Sequence, residues 1–176
     1  MMKDLWRVTE AVMRGTRVPW WRGTRGEWYV AGQLVLIAVV FFGPRTLPGL
    51  AVWPAPLARI SVTVGAALML AGSGLLVVGL LWLGSNLTPL PYPRSHAILV
   101  QTRPYRLVRH PMYVGGIVLA YGWALAVRGW LTLVYATVLF VFLDIKSARE
   151  ERWLTDKFPD YPDYQRRVRK LIPFIH

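Results

Sequence analysis

Four apolar runs limit this chain more than any other feature: roughly Trp28–Phe42, Leu57–Leu83, Pro111–Val127 and Trp130–Leu143. Runs of that length and purity belong in a lipid core, and with the short links between them they predict a bundle of four transmembrane helices. The remainder of the chain is basic. The net charge is +12 although only 17% of the residues are charged. A basic excess suits nucleic acid or an anionic membrane surface, and the apolar runs decide for the membrane and against nucleic acid. The third and fourth runs meet at Arg128-Gly129, which allows only a tight helical hairpin. Each hairpin arm has about 16 residues, roughly 24 Å of helix. That is short for a hydrocarbon core of about 30 Å.

The basic residues orient the bundle. Residues 1–27 carry six Lys and Arg, residues 84–111 carry four and residues 144–176 carry eight, whereas the two opposite turns hold Arg45, Arg59 and Arg128. Eighteen positive charges therefore face three. Cytoplasmic loops take the positive excess, so both termini and the middle loop are expected in the cytoplasm, on one side of a multi-pass protein. The domain reading follows: a basic interfacial segment at 1–27, two membrane helices within 28–83, and a third unit at 84–176 with the hairpin and a cytoplasmic C-terminal helix.

Residues 3–14 read as a short amphipathic helix lying on the membrane surface, and the N-terminus is too charged for the apolar core of a signal peptide. With no cysteine, disulfides and thiolate metal sites are excluded. The three histidines, His96, His110 and His176, are too scattered to suggest a metal site. Gln33, Ser61, Thr63 and Ser73 are lone polar groups in the spans, a type that usually bonds its own backbone or a neighbouring helix. Gly65, Gly72, Gly74 and Gly79 suit close helix packing.

Two stretches carry chemistry. In "PYRLVRHPMYVGG", 104–116, Pro111 disfavours helix at His110 and suits a first helical turn, so His110 should lie just outside the third span and Tyr113 on its first turn. Pro111, Gly115, Val118 and Gly122 share one nearly bare face. That face either packs against a neighbouring helix or leaves room for a bulky ligand. In "DIKSAREERWLTDKFPDYPDYQRRVRKLIPFIH", 144–176, Lys146 and Glu150 are four apart on one face of a helix that continues the fourth span. Glu150 and Glu151 differ in direction by about 100°, so only one of them should face a pocket. The apolar ending "LIPFI" should dock back on the bundle or the membrane.

Together these stretches resemble the isoprenylcysteine carboxyl methyltransferase and phospholipid methyltransferase family of integral membrane enzymes, particularly its small bacterial members. Arg-His-Pro-x-Tyr-x-Gly, Glu-Glu-x-x-Leu and the Val-x-x-x-Ile-Pro ending fall at the right distances over roughly residues 84–176. The resemblance implies an all-α integral membrane fold whose cytoplasmic pocket holds S-adenosylmethionine. It assigns cofactor contacts to Ala97, Ile98, Leu99, Val100, Tyr105, His110, Pro111, Met112, Tyr113 and Glu150. Lys146 stands where eukaryotic members have a substrate-linked Arg, and it joins Arg109 as a candidate catalytic residue; the charge stays but the bidentate fork is lost. The implied acceptor is a lipophilic small molecule or lipid offering a carboxylate, thiol or amine. Methyl transfer is an in-line displacement that needs alignment and exclusion of water more than an acid–base constellation. Gly115 and Gly122 are expected to leave room for the reactants, and Gly65 to serve packing alone. Two alternatives stand beside this reading: an NADPH-dependent steroid or sterol reductase, whose members share an aromatic, Pro-containing tail, and a non-catalytic membrane scaffold.

Overall fold

The computed structural model describes residues 26–51, 53–88, 90–93 and 96–171. Its helices are α1 (Glu27–Phe42), α2 (Ala55–Leu83), α3 (Pro111–Ala126), α4 (Trp130–Lys157) and α5 (Tyr161–Arg167), with 3-10 turns at Gly84–Asn86 and Arg103–Arg106. Among the described residues there is no strand, and Val108 and Arg169 form an isolated parallel bridge. The expected surface helix at 3–14 and the last part of "LIPFI" lie outside the described residues.

The helix ends follow from local chemistry. Pro54 and Pro56 open α2, and Gly84, in the left-handed region at φ 52°, closes it. Pro111 is the first residue of α3, and His110 holds the non-helical φ and ψ that a residue before proline prefers. The α3–α4 hairpin turns through Arg128, whose φ of 54° is a left-handed conformation that a side chain rarely adopts. Arg45 reaches this turn through its carbonyl, which accepts from Leu131 N–H at 3.0 Å.

The α2 and α4 helices are long and apolar enough to cross a membrane, whereas α1 and α3 have 16 residues each. The outward faces are apolar: Phe42 is 88% exposed, Leu70 78% and Leu81 68%. Such surfaces are unfavourable in water and at home in lipid.

The α2–α3 contact is a glycine seam. A Cβ placed on Gly65 would lie 2.6 Å from the Gly122 carbonyl oxygen, and one on Gly72 would lie 2.6 Å from Leu119 N. Reciprocally, a Cβ on Gly115 would meet Leu76 N at 2.7 Å, and one on Gly122 would meet Met69 N at 2.8 Å. Gly65, Gly72 and Gly79 recur every seven residues, as do Gly115 and Gly122, so one face of each helix stays bare over successive turns. The bare face of α3 is therefore filled by the backbone of α2. This corrects the expectation that Gly115 and Gly122 leave room for a ligand, and it places Gly65 and Gly115 on the same seam. Gly74, by contrast, would meet nothing within 4 Å.

The other side of α3 faces α1 and α4. Val40, Ile117, Ala120, Ala136, Leu139 and Leu143 form the core there, with Leu171 packed in from the C-terminal segment at 1% exposure. The chain after α5 also pairs with the Arg-His-Pro stretch: Arg109 N–H donates to Arg169 O at 2.8 Å, and His110 N–H donates to Lys170 O at 3.2 Å. Lys170 closes the buckle on α4, its Nζ lying 2.6 Å from Asp144 Oδ1.

Candidate functional site

A cavity of about 390 Å³ opens at the end of the bundle where the 84–111 loop, α4 and α5 meet. That is a volume typical of small-molecule sites. One wall is the extended segment Ala97–Val100, tied down by Asn86, whose Oδ1 accepts from Ile98 N–H at 2.9 Å. Tyr105 and His110–Tyr113 form a second wall, and Lys146 and Glu150 a third. Arg109 borders the same space. All the residues singled out from the sequence as cofactor-binding or catalytic thus surround one cavity.

Two adjacent glutamates divide the work. Glu150 points to the cavity and accepts from Tyr113 O–H at 2.8 Å. Glu151, 8% exposed, points into the protein and binds on several sides. Arg109 donates to it from Nε at 2.7 Å and from Nη2 at 3.1 Å, and Gln165 donates to Oε2 at 3.0 Å. His110 Nε2 lies 3.0 Å from Glu151 Oε1. Burial pushes the Glu151 carboxyl up, but the hydrogen bonds and charges of His110 and Arg109 outweigh it and hold the carboxyl down at about 2. At neutral pH Glu151 is therefore an acceptor only, and His110 Nε2 must carry the donating hydrogen. That leaves His110 Nδ1 as the ring atom nearer Glu150, 3.9 Å from its Oε2. The imidazole also stacks on Tyr113, with centroids 5.3 Å apart and planes 5° from parallel.

The geometry also gives Arg109 and Glu151 partners inside the protein. Arg109 has its guanidinium turned inward, bound to Glu151 and to the carbonyls of Gln165 and Val168, so it ties α5 and the C-terminal segment to the motif. Glu151, expected to matter less than Glu150 for the cofactor, is the hub of that tie.

Three further wall residues escaped the sequence reading. Tyr164 donates its hydroxyl to Tyr105 O at 2.5 Å. Tyr105 in turn reaches Gly79 O at 3.2 Å, and burial, with some help from the Glu150 charge, pushes its phenol up to about 12. Tyr161 is 1% exposed, and among the described residues its hydroxyl has no hydrogen-bond partner. Gln33, on α1, accepts from Lys146 Nζ at 2.5 Å. Spacing alone could not have found the tyrosines among several aromatics. Gln33 did carry a signal, as a lone amide in an apolar helix. Among the described residues no group of His, Asp or Glu side chains is arranged to hold a metal ion.

This combination defines a class: an apolar helical bundle whose end cavity, bordered by a few polar side chains, lies beside an Arg-His-Pro helix start and a Glu-Glu helix. The chain belongs to the phospholipid methyltransferase family, whose model matches residues 60–160. It is 31% identical over 153 residues to the cobalt-zinc-cadmium resistance protein CzcN of Cupriavidus metallidurans, covering 84% of this chain and 62% of that one. It is 41% identical over 71 residues to methanethiol S-methyltransferase 1 of Bradyrhizobium diazoefficiens, covering 40% and 24%. The solved structure of the eukaryotic intramembrane Ras methyltransferase, an isoprenylcysteine carboxyl methyltransferase, shares the fold at a TM-score of 0.60 and 24% identity, over 92% of this chain and 55% of that one. The chain thus spans less than two thirds of the length of each of these relatives.

Proposed function

We propose that this protein is an S-adenosylmethionine-dependent membrane methyltransferase that methylates a lipophilic acceptor at the membrane–cytosol boundary. The observation that carries the reading is one cavity around Glu150, Tyr113, His110 and Ala97–Val100, with a Tyr161 hydroxyl in its wall that has no hydrogen-bond partner among the described residues. A buried hydroxyl without a partner is costly, and a ligand rich in hydroxyl and amino groups relieves that cost. The cofactor fits this donor set: it carries ribose hydroxyls, an adenine and a cationic end.

In this reading S-adenosylmethionine supplies an electrophilic methyl group on a positively charged sulfur. Glu150 and Tyr161 bind polar groups of the cofactor, and Ala97–Val100 offers backbone groups along one edge. Tyr105 and His110–Tyr113 shape the floor. Lys146 stands at the acceptor end, and Arg109 acts as a positioning residue through Glu151. Apolar walls exclude water from the displacement. The four apolar helices span the membrane, the short α1 and α3 by local thinning or tilt of their surroundings. Both termini and the 84–111 loop face the cytoplasm, where the basic residues gather.

Calorimetric titration of the detergent-solubilised protein with S-adenosylmethionine and, separately, with NADPH tests the activity class. Binding of the first alone is expected, and binding of NADPH in its place overturns the reading. Reporter fusions after residues 50, 100 and 176 test the topology, and an external signal at 100 or 176 overturns it.

A further inference from the structure

Arg103 is the anomaly of the surface. It stands in the left-handed region at φ 54°, although it carries a side chain and precedes Pro104. Both conditions are unfavourable for the backbone, and strain of this kind gathers where the side chain it presents makes a needed contact. The conformation lays the Arg103 guanidinium over the Trp82 ring, 5.6 Å from its centroid. Arg103 opens the 3-10 turn Arg103–Arg106, in which side chains three apart eclipse, so Arg106 projects on the same side. Both arginines are exposed, whereas Pro104 and Tyr105 between them are buried. Among the described residues neither guanidinium has a carboxylate within 4 Å, although Arg166, also exposed, has Asp163.

The flanks of the two arginines are apolar. Leu81 and Trp82 lie in the last turn of the long apolar helix α2, and Trp82 is 42% exposed. Leu107, directly after the 3-10 turn, is 69% exposed. A leucine held out on a basic turn is unfavourable in water and suits acyl chains, and a tryptophan at the end of a span suits the headgroup layer. Two uncompensated cations between such groups match an anion that carries its own apolar tails.

We infer that Arg103 and Arg106 bind the phosphate of an anionic phospholipid, whose acyl chains lie along Trp82 and Leu107, and that this lipid steadies the cavity wall. The second half follows from the turn itself. Its inner residue, Tyr105, lines the cavity, donates its hydroxyl to Gly79 O at 3.2 Å and accepts from the Tyr164 hydroxyl through its carbonyl at 2.5 Å. A headgroup that holds Arg103 and Arg106 favours the conformation in which Tyr105 stands in the wall, and by linkage a ligand in the cavity favours the headgroup. This coupling rests on the methyltransferase reading above, whereas the headgroup site stands apart from it.

The test titrates the full chain in maltoside micelles with dihexanoylphosphatidylglycerol, dihexanoylphosphatidylcholine and inorganic phosphate, followed by calorimetry. The first carries tails and a net charge, the second tails without net charge, and the third charge without tails. Phosphatidylglycerol is expected to bind at least about tenfold tighter than either of the others. Arg103→Gln and Arg106→Gln should each weaken it about fivefold, and the double variant should bind the two lipids alike. Arg103→Gly removes the charge and relieves the left-handed backbone, so it should melt at or above the wild-type temperature while losing as much lipid affinity as Arg103→Gln. Arg59→Gln, in the first turns of α2 at its other end, should change nothing. S-adenosylmethionine should bind about fivefold tighter with phosphatidylglycerol present than with phosphatidylcholine, and the double variant should lose that gain. Equal binding of the two lipids by the wild-type protein, inorganic phosphate binding as tightly as phosphatidylglycerol, or a preference kept by the double variant overturns the headgroup site. An S-adenosylmethionine affinity indifferent to lipid overturns the coupling. Failure of S-adenosylmethionine to bind under every condition overturns the methyltransferase reading instead, and the lipid titrations still decide the headgroup site.

Discussion

The two faces of α3 carry one short motif and do opposite things with it. On the side toward α2, Gly115 and Gly122 bring backbone against backbone, and a Cβ on either would fall within 3 Å of main-chain atoms. On the side toward α4, His110 and Tyr113 at the start of the same helix face carboxylates and bound the cavity. The seam holds the helix close and fixed, and the polar start of the helix uses that fixity to hold an imidazole and a phenol in register. Catalytic geometry of this type depends on rigid support behind the contacting groups. A substitution on one face should therefore register as stability and on the other as ligand affinity.

The harshest way to test that contrast is Gly115→Leu. The neighbours are backbone atoms that cannot rotate away, so the loss should reach or pass about 3 kcal/mol, roughly a 10 °C fall in melting temperature. Gly72→Leu should behave alike, and Gly116→Leu, with nothing within 4 Å of its Cβ, should not. Cofactor affinity in whatever folded protein survives should stay near wild type. A Gly115→Leu protein that melts normally but no longer binds S-adenosylmethionine would place the seam residue in the site instead.

Glu151→Gln comes next. It leaves the Arg109 guanidinium, 10% exposed, without its counter-charge, a loss expected at about 2–3 kcal/mol because Gln still accepts some of the bonds. The acid limb of stability checks the same group. The folded pKa of Glu151 is depressed, to about 2, below an unfolded value of about 4.3. Its contribution is thus fully present above about pH 5 and is lost as pH falls through 4 toward 2. Melting temperature should be flat from neutral pH down to about 5 and then drop, and Glu151→Gln should shrink that drop. An acid limb identical in the variant would show that the hub is not where acid acts.

Glu150→Gln should invert the pattern, with melting within about 1 kcal/mol of wild type and S-adenosylmethionine affinity down about tenfold by calorimetry. Equal stability losses at 150 and 151 would erase the distinction between the cavity side and the inner side of α4. The smallest effect is expected of Tyr161→Phe. Its hydroxyl has no partner among the described residues, so removing it should leave melting unchanged or slightly raised, while cofactor affinity falls about fivefold. Loss of stability without loss of affinity would assign the hydroxyl a structural contact.

How much of this was readable in advance depended on range. Pro111 fixed the start of α3, and the i, i+4 spacing put Lys146 and Glu150 on one side of α4, because these are rules of one or two turns of chain. The apolar runs and the basic split likewise set an all-helical chain with its chemistry near one end. Three things lay beyond the sequence. A bare helix face reads the same whether a ligand or another helix fills it, and only the seven-residue match between Gly65, Gly72 and the facing Gly115, Gly122 decided for the helix. Adjacent glutamates differ in direction but not in destination until Arg109, His110 and Gln165 are brought around one of them from 14 to 42 residues away in sequence. Gln33 and Lys146 are 113 residues apart, and no local rule joins them. Periodicity is a property of the chain, whereas the partner that fills a face or answers a charge is a property of packing, which joins groups by distance in space rather than along the sequence.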